Sequence, residues 1–137
     1  MRAVVQRVTS ASVTVDDKVV GKIEQGLCIF LGIEAADTDD DLEWLVSKIN
    51  GLRIFRDENH AMNLSAQDVN GEFLVISQFT LFSSTKKGNR PSFLRAAKPE
   101  FAKNMVDTFV NHLSIICGKP VATGIFGANM KVELLND

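Results

Sequence analysis

Apolar and polar residues alternate with a period of two along the start of the chain. Val4, Gln6 and Val8 set this rhythm over residues 2–8, and Ala11 to Val15 resumes it. Such alternation sends successive side chains to opposite faces, so both runs predict strands. Asp16-Asp17 predicts a turn, and Lys18 to Glu24 a third strand paired with the second as a hairpin. The pattern changes at Gly26. Leu27 to Leu31 is continuously apolar, as suits a strand buried on both faces.

A helical period follows. Leu42, Leu45, Val46 and Ile49 recur at helical spacing. Thr38 supplies an N-cap, Asp39 to Asp41 place acids in the first turn, and Gly51 stops the run. A second helix is predicted from Pro99, a residue favoured at the first helical position. Its apolar stripe runs through Phe101, Ala102, Met105, Val106, Phe109, Leu113 and Ile116 to a stop at Gly118. Between the helices the pattern predicts a short strand over Leu52 to Phe55, a turn at Asp57 to His60, and a strong strand from Glu72 to Phe82. Pro120 to Phe126 reads as extended or looped, and Ala128 to Leu135 as a last strand. Many strands with two helices predict an α+β fold, one domain built on a mainly antiparallel, barrel-like sheet.

A length of 137 residues agrees with one domain over residues 1–137, and 45% hydrophobic with 23% charged residues is a globular balance. The longest apolar stretch, near Leu27 to Ile33, falls far short of the ~20 residues that span a bilayer. The start shows no apolar signal region, so no membrane partner and a cytoplasmic location are expected. A net charge of −2 argues against a dedicated nucleic-acid binder, and DNA is not expected as a partner. The distribution of charge says more. Residues 34–43 carry six acids and no base, whereas residues 83–98 carry Lys86, Lys87, Arg90, Arg95 and Lys98 and no acid. Two readings stand: solvated loops of opposite sign, or a basic loop that meets phosphates.

No metal is expected, because His60, His112, Cys28 and Cys117 lack ligand spacing. Both cysteines sit in apolar runs and read as buried thiols. Neither a G-x-S-x-G elbow, a P-loop nor a G-x-G-x-x-G turn is present. The informative stretch is Ser77-Gln78-Phe79-Thr80-Leu81, where polar groups interrupt a strand that is otherwise apolar on both faces. Buried hydroxyls cost free energy unless hydrogen-bonded, so these polar groups either emerge into solvent or serve a site. In a regular strand Ser77 and Thr80 face opposite sides, and they share a pocket only if a bulge intervenes. Lys87 to Phe93 offers donors at Asn89, Arg90 and Ser92, with Phe93 either anchoring the loop or stacking on a base. In Thr123 to Met130, two glycines would let backbone approach a ligand closely.

Taken together, RAVVQRVTSASVTV, LRIFRDENHAMNL, SQFTL, KGNRPSF, TGIFGANM and VELLND resemble the D-aminoacyl-tRNA deacylase family over the whole chain. The resemblance implies a homodimer of α+β protomers with active sites at the interface. It also implies hydrolysis of the ester between a D-amino acid, or glycine, and tRNA, without metal or cofactor. By resemblance, Ser77, Gln78, Phe79 and Thr80 form the catalytic motif, and Thr80 is a nucleophile candidate. The residues themselves show no base for a threonine nucleophile, so positioning of the ester, aided by the tRNA 2′-OH, fits them better. Arg7, Phe126 and Met130 are expected at the substrate pocket, and Lys86, Lys87, Arg90 and Arg95 at tRNA. The family's second motif, a Gly-Pro step followed by Val or Ile and Thr, comes directly after Asn-Asp, where this sequence stops at Asn136-Asp137. Reduced chiral selectivity is therefore expected. Two other readings are a tRNA-binding or dimerisation module without catalysis, and an unrelated hydrolase of small esters.

Overall fold

The computed structural model describes residues 1–137. Strand β1, Arg2–Val15, is one element of 14 residues, so the two runs predicted at its ends are halves of a single strand. Asp16 and Asp17 both adopt positive φ, 48° and 60°, and reverse the chain into β2, Lys18–Ile23. Aspartate tolerates this left-handed backbone better than most side chains. After a two-residue break comes β3, Gly26–Gly32. It continues along the same edge of β1, with Val8 opposite Gly26 and Arg2 opposite Gly32. Two helices follow in chain order, α1 at Asp39–Asn50 and α2 at Pro99–Cys117. The capping box of α1 is complete: the Thr38 hydroxyl accepts from the Asp41 amide, and the Asp41 carboxylate accepts from the Thr38 amide.

Between the helices the prediction needs correction in two places. Leu52 to Phe55 is not a strand of the main sheet. A two-residue strand β4, Phe55–Arg56, instead pairs with β5, Met62–Leu64, across the predicted turn at Asp57 to His60. The strong strand ends early as well. Strand β6 covers Glu72–Ser77, and Phe79–Phe82 coil into a 3₁₀ turn. Past α2, β7 is only Ala122–Thr123, and β8 runs over Lys131–Asn136.

The main sheet is mixed. Strand β1 pairs antiparallel with β2, β3 and β8, while β3–β6 and β6–β7 are parallel. The sheet curls until β7 approaches β2, where a Cβ on Gly21 would lie 2.4 Å from the Thr123 carbonyl oxygen. Only glycine permits that closure. Alternation along the strands feeds two cores. Leu27, Ile29, Leu31, Phe73 and Val75 face Leu42, Val46 and Ile49 of α1 and Met105, Phe109 and Leu113 of α2. Cys28, Leu74 and Ile76 face inward with Val8, Ala11, Val13 and Ile23. Central strand β3 is thus packed on both sides, as its unbroken apolar run predicts. Phe101 and Ile116, counted in the stripe of α2, stay exposed at its margins.

Candidate functional site

Strand β6 delivers the SQFTL segment to one end of the barrel. The Gln78 amide donates to the Leu31 carbonyl at 2.8 Å, the last bond in the direction of the ladder, and the chain then turns. The turn does not bring Thr80 into one pocket with Ser77, but it does place Gln78 beside Ser77 and Phe79. Ser77, Gln78 and Phe79 all line one cleft of about 730 Å³, which in a flat strand they could not do. Thr80 is not among the lining residues, but its hydroxyl accepts from the Gln78 side-chain amide and so is tied to the wall.

The cleft is mostly apolar. Phe93, Phe126 and Met130 line it, joined by Pro99, Ala102 and Val106 from the first two turns of α2. Its polar groups are few: Ser77, Gln78, Lys98 and Asn129 with nearby backbone. No Asp, Glu, His or Cys is among the lining residues. A site so built has no carboxylate or imidazole to take a proton, and it can orient and desolvate a ligand. A smaller cavity of about 170 Å³ shares Ser77, Val106 and Phe126 with the cleft and adds Thr123, Gly124 and Asp107, whose carboxylate pairs with Lys103 at 2.6 Å.

Phe93 anchors its loop on Phe79 rather than on the buried core. Its ring meets Phe79 edge-to-face, with centroids 5.1 Å apart and planes at 76°. Beyond it, Ser84 and Ser92 exchange two backbone hydrogen bonds of 2.9 Å and close residues 84–92 into a small loop. Lys86, Lys87 and Arg90 are exposed on that loop, and none forms an ion pair. Arg95 differs: its Nη2 lies 2.9 Å from the Glu34 carboxylate. The acidic and basic segments thus touch, and the isolated bridge between Glu34 and Ala96 joins their backbones.

Arg7 does not line the cleft. Its guanidinium donates to the Ile54 and Asp137 carbonyls and pairs with the Asp137 carboxylate at 3.2 Å. The pattern missed the α2 wall and Lys98, because Ala102 and Val106 belong to the same stripe that packs the core. The alanines at 96, 97 and 102 are the sequence trace of that wall, since small side chains leave the space. No three His, Cys, Asp or Glu side chains gather to hold a metal ion.

A family profile described as D-Tyr-tRNA(Tyr) deacylase matches residues 4–137. The chain belongs to this deacylase family. A D-aminoacyl-tRNA deacylase of Flavobacterium psychrophilum is 57% identical over the full chain, which spans 91% of that relative. A protein of the same name from Flavobacterium johnsoniae is 56% identical with the same coverage. A solved structure described as c-Myc DNA Unwinding Element Binding Protein superposes with a TM-score of 0.92 at 41% identity, covering 100% of this chain and 93% of that one. The deacylase fold thus carries the SQFTL turn, the α2 wall and the 84–92 loop around one cleft.

Proposed function

We infer that the protein hydrolyses the ester bond of D-aminoacyl-tRNA, releasing free tRNA and a D-amino acid. The single observation that carries this reading is the cleft beside Ser77, Gln78 and Phe79, which lies in a chain of the deacylase family and has no carboxylate, imidazole or thiol among its lining residues. Water adds to the ester carbonyl carbon, the bond to the ribose oxygen breaks, and the amino acid leaves as a carboxylate. The protein supplies position and polarity. Ser77 and Gln78 offer polar groups to the ester, and Phe79, Phe126 and Met130 enclose the aminoacyl-adenosine end. Thr80 orients the Gln78 amide through their hydrogen bond. With no carboxylate or imidazole lining the cleft, the 2′-OH of the tRNA itself is the group available to assist.

Glycine carried by the wrong tRNA is a second substrate of this reading, since its ester presents the same bond. Lys86, Lys87 and Arg90 contact tRNA phosphates, with Arg95 a fourth contact once it leaves Glu34. Arg7 holds residues 54 and 137 and does not enter the cleft. The protein works as a homodimer in the cytoplasm, where aminoacyl-tRNA is used. Exposed apolar groups at the rim support a second copy there: Phe79 is 58% exposed and Leu94 95%. No helix is long and apolar enough to cross a membrane.

Turnover of D-aminoacyl-tRNA beside the L-isomer tests the reading. Release of free D-amino acid is the expected result. Binding of tRNA without turnover would leave only a binding module, and equal hydrolysis of a free D-amino-acid ester would indicate a small-ester hydrolase.

A further inference from the structure

We propose that Arg2 is a positioning residue for the deacylation site, acting through the 3₁₀ turn Phe79–Phe82. The proposal rests on the reading that the Ser77 to Thr80 segment is the reaction centre. A turn of four residues cannot hold its own shape. At its start, the backbone bond from the Leu81 amide to the Gln78 carbonyl is long, at 3.2 Å. Short 3₁₀ pieces have poor hydrogen-bond geometry and leave carbonyls at their ends without partners. The shape must therefore be imposed from outside.

Two features of the fold impose it, and they sit opposite each other. In the ladder between β1 and β3, Arg2 faces Gly32. A Cβ on Gly32 would lie 3.0 Å from the Gln78 carbonyl oxygen, 3.1 Å from Leu81 Cβ and 3.2 Å from the Phe82 ring. The missing side chain is thus the seat in which the turn rests. Arg2 closes over that seat. Its Nη1 donates to the Leu81 carbonyl at 2.7 Å, and its guanidinium carbon stands 4.6 Å from the centre of the Phe82 ring. The guanidinium satisfies an end carbonyl of the turn and covers an aromatic face at once, a pairing that its planar fork suits better than a compact ammonium. Arg95 stands 5.6 Å from the same ring, tethered by Glu34. Phe82 is 2% exposed and cannot shift without opening the core. The clamp fixes the end of a turn whose start carries Phe79 and Thr80.

An arginine this close to a basic loop could instead serve as a phosphate contact. The two roles predict different measurements. Arg2→Ala and Arg2→Lys are compared with wild type for kcat and KM on D-aminoacyl-tRNA, for the salt dependence of tRNA binding, and for amide hydrogen exchange across residues 78–83. As a positioning residue, Arg2→Ala lowers kcat about 10- to 100-fold, because a small misplacement at a reacting centre has that effect. KM and the salt slope stay near wild type, and the turn amides exchange at least about tenfold faster while β3 stays protected. Arg2→Lys falls between, keeping a donor for Leu81 but losing the stack. Gly32→Ala presses on the turn from the other side and gives the same exchange signature. An unchanged exchange pattern in Arg2→Ala overturns the clamp. So does a loss confined to KM with a salt slope smaller by about one, which assigns Arg2 to phosphate. If Phe79→Ala and Thr80→Ala also leave kcat unchanged, the reading of the reaction centre fails, and the exchange data still decide the clamp.

Discussion

Phe93 and Phe79 meet edge-to-face, with ring centroids 5.1 Å apart, and this contact joins the basic loop to the cleft. The two residues come from different stretches, one from the 3₁₀ turn and one from the loop after Ser92. An edge-to-face pair contributes about 0.5–1.5 kcal/mol beyond its buried area. Phe93→Ala should therefore lower kcat/KM on D-aminoacyl-tRNA about three- to tenfold, with Phe93→Tyr close to wild type. Equal loss in both variants would mean that ring packing is not what matters.

The charges of residues 84–95 should separate by their partners. Lys86, Lys87 and Arg90 have no protein partner, so neutralising each should reduce the slope of log K against log salt by about one. Arg95 must leave Glu34 before it meets a phosphate. Its substitution should change the slope less than the others do, and Glu34→Gln should strengthen tRNA binding slightly. Titrations of tRNA at several salt concentrations check both. A slope unmoved by the triple substitution places the RNA surface elsewhere.

Much of this was legible in the sequence, and what was not has a common cause. The caps of α1, the Pro99 start of α2 and the two-sided burial of β3 are local consequences of residue type and period. The end of β6 at Ser77 is not local. Phe79, Leu81 and Phe82 extend the apolar run plausibly, and the chain turns only because Gly32, on another strand, leaves a seat for it. The partner of Arg95 lies 61 residues away, which no spacing rule reaches. Ser77, Gln78, Phe79 and Phe93, from stretches singled out by residue type and by resemblance, line the candidate cleft, whereas the α2 wall was hidden because its residues look like core.

Cys28 offers a test of the barrel interior. Burial pushes its thiol up to about 11, so it stays protonated at neutral pH. The native protein should resist alkylation at Cys28 at pH 8 and label there only when denaturant opens the fold. Mass spectrometry of labelled peptides reads this directly. Rapid labelling under native conditions would show that the small core inside the barrel opens on its own.

The cap of α1 makes a pH-dependent contribution. The backbone amide of Thr38, and then its hydroxyl, donate to the Asp41 carboxylate and hold its pKa below the ordinary value. The unfolded value is about 3.9. A carboxylate depressed on folding stabilises fully above that value, and its contribution disappears as pH falls through the lower, folded pKa. Asp41→Asn should lower Tm at pH 7, and the gap to wild type should narrow steadily below about pH 4. A gap that persists in acid would assign the effect to helix propensity. Thr38→Ala, which removes the cap itself, should cost about 1 kcal/mol.

Thr80 decides between two chemistries for the site. Its hydroxyl oxygen already accepts from the Gln78 amide, and the cleft supplies no imidazole or carboxylate to deprotonate it. A nucleophile in that setting would be weak. If Thr80 were nevertheless the nucleophile, its removal should reduce kcat by on the order of 10⁴- to 10⁶-fold, and a covalent acyl-enzyme should accumulate in a burst. If it orients Gln78, Thr80→Ser should retain most activity and Thr80→Val should lose about 10- to 100-fold. Gln78→Leu should then lose no more in combination with Thr80→Val than alone, because the two act as one unit. The pH profile gives an independent answer. A site without a protein base should show no inflection in kcat from an enzyme histidine or carboxylate between about pH 5 and 8. Replacing the terminal 2′-OH of the tRNA with hydrogen should remove the assistance that the protein does not supply. Full activity with that 2′-deoxy substrate would refute substrate assistance and turn attention to Lys98, the one ionisable side chain lining the cleft.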